Sequence, residues 1–141
     1  MPVRQAVDAD IAEMHRVRMS VRVNVLSEST VITEEMYRKH LEKIGRGWVW
    51  EEDGRILGCA VANLRDASIW GLFVAPEAEG RGIGRALHDT MLDWLRSEGA
   101  TEVKLGTEPG TRAARFYEAA GWRFKQIDGK GEAVYVKRLD G

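Results

Sequence analysis

The chain predicts an α/β domain built on a mixed β-sheet flanked by helices. Three features carry that expectation. Short apolar runs rich in β-formers alternate with stretches whose apolar residues recur at helical spacing. Three of the runs, Trp48–Glu52, Ile56–Asn63 and Ile69–Val74, follow one another with only tight connections. The third is followed by a glycine-punctuated turn (Gly80, Gly82, Gly84) and then a helical pattern, the strand–turn–helix unit of α/β proteins.

In chain order, Val3 to Ala6 reads as a short strand, and Asp8 is placed to cap a helix carrying Ile11, Met14, His15, Arg18 and Met19. The periodicity breaks between Ser20 and Thr33, as in a loop or broken helix. Thr33 caps a second helix bearing Met36, Tyr37, His40, Leu41 and Ile44, which Gly45 and Gly47 are expected to end. Asp53-Gly54 is a hairpin turn signal, and the near-continuous apolar character of Ile56–Asn63 predicts a central strand. Leu64 to Ser68 turn the chain into the strand that Pro76 stops. Ile83, Leu87, Met91, Trp94 and Leu95 define a helix closed by Gly99. Val103–Leu105 is a short strand, and Thr111 caps a helix over Arg112–Ala120 that Gly121 closes. Trp122–Ile127 and Ala133–Arg138 form a closing antiparallel pair. The order is β-α-α-β-β-β-α-β-α-β-β, and the absence of linkers and repeats predicts one domain over residues 1–141.

Composition narrows the function. With 21 Lys+Arg against 22 Asp+Glu the formal net charge is −1, which argues against a general nucleic-acid binder. A local basic patch of Arg81, Arg85, Arg112 and Arg115 remains compatible with that total. The single cysteine, Cys59, sits in an apolar run and reads as a core residue, so neither an intrachain disulfide nor a thiolate metal cluster is expected. His15, His40 and His88 share no metal-ligand spacing. No apolar leader or membrane-length stretch is present, and a cytoplasmic, membrane-independent protein is expected.

The glycine turn carries the chemistry. Glycines remove Cβ atoms, so that consecutive N–H groups can close on a bulky anion, and the following helix adds its free N-terminal N–H groups and its positive dipole end. Arg81 and Arg85 add charge at the rim. A P-loop is disfavoured because Gly84 is followed by Arg85-Ala86 and not by Lys-Ser/Thr. A dinucleotide fingerprint is disfavoured because Arg85 stands where a third small residue is needed.

Two motifs in this order make the chain resemble the GNAT N-acetyltransferase superfamily over essentially its whole length. The first, Gln/Arg-x-x-Gly-x-Gly/Ala, is matched by Glu79-Gly80-Arg81-Gly82-Ile83-Gly84. The second is matched by Gly110-Thr111-Arg112-Ala113-Ala114-Arg115-Phe116-Tyr117-Glu118-Ala119-Ala120-Gly121-Trp122. Two positions depart from the pattern. Glu79 replaces a leading Gln/Arg and would repel a diphosphate unless its side chain points away, and Gly110 replaces an Asn that contacts the cofactor.

The resemblance implies acetyl-CoA as donor, CoA as product, and an amine of a small molecule, amino acid or peptide terminus as acceptor. It implies cofactor contacts from the strand edge Leu72, Phe73 and Val74, from Gly80, Arg81, Gly82, Ile83, Gly84 and Arg85, and from Arg115. A strand N–H would also stabilise the oxyanion, worth about 3–4 kcal/mol in other acyl transfers. Tyr117 takes the role of general acid toward the departing thiolate. The family's strand glutamate falls near Ser68, which cannot serve alone, so Glu108 or Asp66, a water chain or a partly neutral amine is expected to replace it. Acceptor contacts are expected from Asn24, Ser27, Glu28, Ser29, Trp50 and Trp70. Dimers are common in the family, and a homodimer is compatible with this chain. A non-catalytic acyl-CoA-binding or sensing module is the alternative.

Overall fold

A computed structural model describes residues 2–21 and 32–140. Strand β1 (Val3–Gln5) precedes helices α1 (Ile11–Val21) and α2 (Glu34–Lys39), the latter continuing through a π-helical turn at His40–Ile44. Then come β2 (Gly45–Glu52), β3 (Arg55–Asn63), β4 (Ser68–Val74), α3 (Ile83–Ser97), β5 (Glu102–Thr107), α4 (Arg112–Ala119), β6 (Arg123–Ile127) and β7 (Ala133–Arg138). The seven strands form one sheet in the order β1-β2-β3-β4-β5-β7-β6, antiparallel except between β4 and β5. No helix among the described residues is long and apolar enough to cross a membrane.

The centre of the sheet is covered on both faces, and β3 shows why its sequence is continuously apolar. Ala60 and Ala62 face a core with Leu87, Met91 and Leu95 of α3, Leu105, Tyr117 and Trp122. Cys59 and Val61 face the opposite core, with Met14 and Val17 of α1 and Tyr37 of α2. A strand covered on both faces loses the alternation of a half-exposed one. Asp53 and Gly54 have φ values of 51° and 76°, the mirror-image turn that suits a two-residue hairpin.

Two local expectations need correction. Asp8 does not cap α1: residues Asp8–Asp10 form a 3-10 turn, and Asp10 does the work by accepting the Val7 N–H at 2.8 Å while Arg4 grips both its oxygens at 2.9 Å. The second helix stops at Gly45 as expected, but Gly47 plays no part in ending it, and both glycines lie inside β2, Gly45 with an extended φ of −167°. A Cβ at Gly45 would stand 1.7 Å from the Ala62 carbonyl oxygen, and one at Gly47 2.4 Å from Leu41 Cδ2. These glycines are needed for close approach. Thr33 and Thr111 cap as expected, their hydroxyls accepting from the N–H groups of Met36 and Ala114 at 3.2 Å.

His88, a core position on α3, ties the helix to the segment after α4. The Trp122 indole N–H donates to its Nε2 at 2.9 Å, out of contact with water. Indole has no acceptor to offer, so Nε2 carries a lone pair and Nδ1 carries the proton, donated to Asp89 at 2.9 Å. His88 is therefore neutral in the fold, and burial holds its pKa below the ordinary value. Burial also lowers that of His40, whose Nδ1 donates to the Met36 carbonyl at 2.8 Å.

The sign of the resulting pH dependence follows directly. Below an unfolded-state pKa of about 6.5 the unfolded chain binds protons that the folded chain refuses, so stability falls with pH at up to about 1.4 kcal/mol per unit per group. The urea midpoint should drop between pH 7.5 and pH 5.5, and His88→Gln should flatten that slope. An equally steep slope in the variant would show that His88 does not titrate in this window.

Candidate active site

The opening in the sheet lies between its two parallel strands. β4 and β5 are paired only at Ser68 and Lys104, with the Lys104 N–H donating to the Ala67 carbonyl at 3.0 Å. From there β5 is held by β7, all six of its residues in register from Glu102↔Arg138 to Thr107↔Ala133, and β4 by β3. Because the two strands run the same way, their C-terminal ends, Val74 and Thr107, flank the mouth of the same cleft. β4 also bulges there: Gly71 faces Val61 and Ile69 faces Ala62, leaving Trp70 with no opposite residue. Bulges re-aim side chains beside functional sites.

At the end of β4 the chain makes one 3-10 turn, Pro76–Ala78, and enters the glycine segment. Gly80 and Gly82 have φ values of 81° and 82°, which favour glycine. The N–H groups of Gly80, Arg81, Gly82, Ile83, Gly84 and Arg85 find no acceptor among the described residues, and the first bond of the helix is Ala86 N–H to the Gly82 carbonyl at 3.0 Å. Six consecutive donors and the positive end of a 15-residue helix make an anion site. The Ile83 side chain is buried in the core, so only its N–H can serve. Gly84 sits close behind, since a Cβ there would lie 3.4 Å from Val74 Cγ2 and 3.8 Å from Phe116 Cε1.

Three of the four arginines expected to form a basic patch are paired with carboxylates: Arg81 with Glu52, Arg85 with Asp89 at 3.2 Å, and Arg112 with Glu79 at 2.9 Å. Arg115 donates to the Gly110 carbonyl at 3.3 Å. The pairing also disposes of the objection to Glu79, whose carboxylate is taken up by the first residue of α4. These exposed pairs are weak and salt-screened and can exchange for a stronger anion.

Tyr117 is buried on α4, in an aromatic cluster with Phe116 at 5.3 Å, Trp122 at 5.5 Å and His88 at 6.5 Å between ring centres. Its hydroxyl has no hydrogen-bond partner among the described residues, and burial raises its pKa, so the proton stays on oxygen. His88 was legible only as a lone helix histidine; its Trp122 contact joins residues 34 positions apart.

Leu72, Phe73 and Val74 are half-buried on β4. Glu108 is exposed just after β5, at the cleft end shared with Val74, and Asp66 lies in the turn before β4, at the opposite end, its N–H donating to Asn63 Oδ1 at 2.9 Å. The Trp50 indole donates to Glu52 at 2.8 Å, away from Trp70. Trp70 lies on the α1 face, stacked on His40 at 4.1 Å. Asn24, Ser27, Glu28 and Ser29 fall outside the described residues. The Cys59 thiol is pushed up to about 12 by burial, which fits a core role. No cluster of three metal-ligating side chains occurs among the described residues. A shallow concavity of about 260 Å³ beside the turn into β4, lined by Lys43, Ile44, Gly45, Leu64, Arg65 and Trp94, contains none of these groups.

Comparison with known proteins bears on the family and the fold. The sequence model of the acetyltransferase (GNAT) family matches residues 11–122. The chain is 30% identical over 112 residues to serotonin N-acetyltransferase 2, chloroplastic, of Oryza sativa subsp. japonica, covering 74% of this chain and 55% of that protein. It is 38% identical over 77 residues to the peptidyl-lysine N-acetyltransferase YiaC of Escherichia coli, covering 55% and 49% respectively. The chain thus spans about half the length of these curated relatives. The fold matches that of PaiA N-acetyltransferase from Thermoplasma acidophilum, solved in complex with coenzyme A, with a TM-score of 0.82 at 15% identity over 96% of this chain and 97% of that one.

The glycine geometry is directly testable. At Gly82 an alanine meets open space but must hold a positive φ, a strain of about 1–2 kcal/mol, whereas at Gly84 the space is tight but ordinary. Gly82→Ala should lower unfolding free energy in urea by about that amount, and Gly84→Ala by less than half of it. The reverse order would mean that the turn is not held in this conformation.

Proposed function

Because the chain belongs to the GNAT acetyltransferase family, we propose that it transfers the acetyl group of acetyl-CoA to an amine, releasing CoA. The observation that carries this reading is the run of six unpartnered N–H groups from Gly80 to Arg85 at the mouth of a cleft between parallel strands. Those donors take the diphosphate, and Arg81 and Arg85 exchange their surface carboxylates for it. The open edge of β4 over Leu72–Val74 takes the amide-bearing arm, and an N–H of that edge polarises the thioester carbonyl.

The acceptor nitrogen attacks the carbonyl carbon, the C–S bond breaks, and the surplus proton on nitrogen leaves to Glu108 or to water. Tyr117 meets the departing sulfur. Its raised pKa decides how: ordinary thiols titrate near about 8.5, so complete proton transfer from this phenol to a thiolate is uphill. Tyr117 therefore stabilises the sulfur anion chiefly by donating a hydrogen bond. The placement of Glu108 at the Val74 end of the cleft favours it over Asp66 as proton acceptor. The lack of a carboxylate at Ser68 is what favours the second reading, a module that binds acyl-CoA without turnover.

Thiol release across a broad amine panel tests the proposal. Turnover is expected, and Tyr117→Phe should lower kcat by about 100-fold, the scale of a lost hydrogen-bond donor to developing charge, while leaving the KM for acetyl-CoA within about twofold. Binding of acetyl-CoA with no thiol released from any amine would establish the binding module. Unchanged turnover in Tyr117→Phe would remove that residue from the mechanism.

A further inference from the structure

The face of β4 opposite α3 and α4 carries a cation that the acetyl-donor reading leaves unused. Arg18, near the end of α1, lays its guanidinium across two aromatic rings of β4, with Cζ 5.1 Å from the Trp70 ring centre and 4.9 Å from that of Phe73. The strand makes room for it at Gly71, where an added Cβ would stand 3.5 Å from Arg18 Nη1 and 2.8 Å from Phe73 Cε2. The positive charge thus rests on the strand backbone beside the Trp70 bulge, within the stretch where β4 has parted from β5.

Among the described residues this charge meets no carboxylate, its polar neighbour being the Tyr37 hydroxyl. Arg18 forms no ion pair among the described residues, and its Nε is buried without a hydrogen-bond partner. Ring faces offset part of the desolvation but supply no hydrogen-bond acceptor in the plane of the N–H groups, as a charge-assisted pair does. His40 shows the same lack on the same wall. It stacks on Trp70 with an interplanar angle of 19°, and its Nε2 is buried and unpartnered. With the proton on Nδ1, that Nε2 is a lone pair, which suits an N–H donor and repels an anion. A guanidinium fork placed beside two rings offers paired N–H donors that match a planar carboxylate.

We propose that Arg18 anchors the acceptor through a carboxylate, so that the favoured acceptors are amino acids or other small amines bearing that group. The inference rests on the acetyl-donor reading for the fate of the amine but not for the contact itself. With Trp70 and Phe73 as walls, the carboxylate on Arg18 holds the acceptor against the opened strand, its amine free to reach toward the cleft.

Calorimetric titration with paired probes tests it. L-amino acids and β-alanine are compared with their carboxamides, on the free protein and on protein saturated with CoA. Wild type should bind at least one acid ten or more times more tightly than its amide. Arg18→Gln should bring that ratio within about twofold of unity, and Arg18→Lys should restore part of it. A preference that survives Arg18→Gln, amides bound as well as acids, or no acid bound in either state would overturn the assignment. The melting-temperature rise with CoA serves as the control: its loss in Arg18→Gln would indicate a damaged fold, in which case the acid-to-amide ratio in Arg18→Lys decides. Its absence in wild type would defeat the acetyl-donor reading, while the titrations on free protein would still decide the role of Arg18.

Discussion

The structure depends on a single missing ladder. Two parallel strands that pair at one position and then separate would close up if nothing held them apart, because unpaired strand edges are costly when shielded from water. Here each strand is committed elsewhere. β5 exchanges bonds with β7 along its whole length, β4 with β3, and α3 and α4 cover one face with a core that includes Leu87, Met91, Leu105 and Tyr117. The cleft is therefore a consequence of sheet order. Placing β7 between β5 and β6 gives β5 a second partner and leaves β4 with one full ladder.

Two contacts hold the walls of that cleft at different strengths. Glu79 and Arg112 join the glycine turn to the start of α4 across 33 residues, but both are exposed, so the pair sets orientation more than stability. The Trp122–His88 bond does the opposite. It is buried, and breaking it would strand an indole N–H and an imidazole lone pair without partners, at about 1–3 kcal/mol for each group. Because His88 also meets Phe116 edge-on at 5.7 Å, the bond fixes the aromatic cluster from which the Tyr117 hydroxyl projects.

Much of this was legible in the sequence, and the parts that were not share a cause. The element order, the central position of Ile56–Asn63, the caps at Thr33 and Thr111 and the hairpin at Asp53-Gly54 follow from local chemistry and periodicity, and all are present. Gly45 is the stop that a glycine after a helical pattern suggests, but the further need for Gly45 and Gly47, which yield space to Ala62 and Leu41, is known only once strands pair. Asp8 misled because the 3-10 turn over Asp8–Asp10 makes Val7 the cap residue, and Asp10, held by Arg4, bonds back to the Val7 N–H. The Trp70 bulge, the His88–Trp122 bond and the bed of Arg18 are long-range juxtapositions with no signature in spacing. The glycine segment was readable in advance because its chemistry is carried by consecutive residues.

The same distinction explains why Glu79 is tolerated. A carboxylate one residue before the anion site opposes a diphosphate most strongly when it is unpaired. Its partner Arg112 is the first residue of α4, so the compensating charge comes from the second motif rather than the first. Taken as a local substitution, Glu79 looks like damage; taken with Arg112, it is an ion pair whose net field at the turn is that of a dipole, which falls off faster than that of a single charge. On the proposed reading the six main-chain donors would supply the anion contacts, and these do not depend on the side chain at position 79. Affinity resting on backbone N–H groups is insensitive to the identity of neighbouring side chains, provided that the glycines keep the turn open.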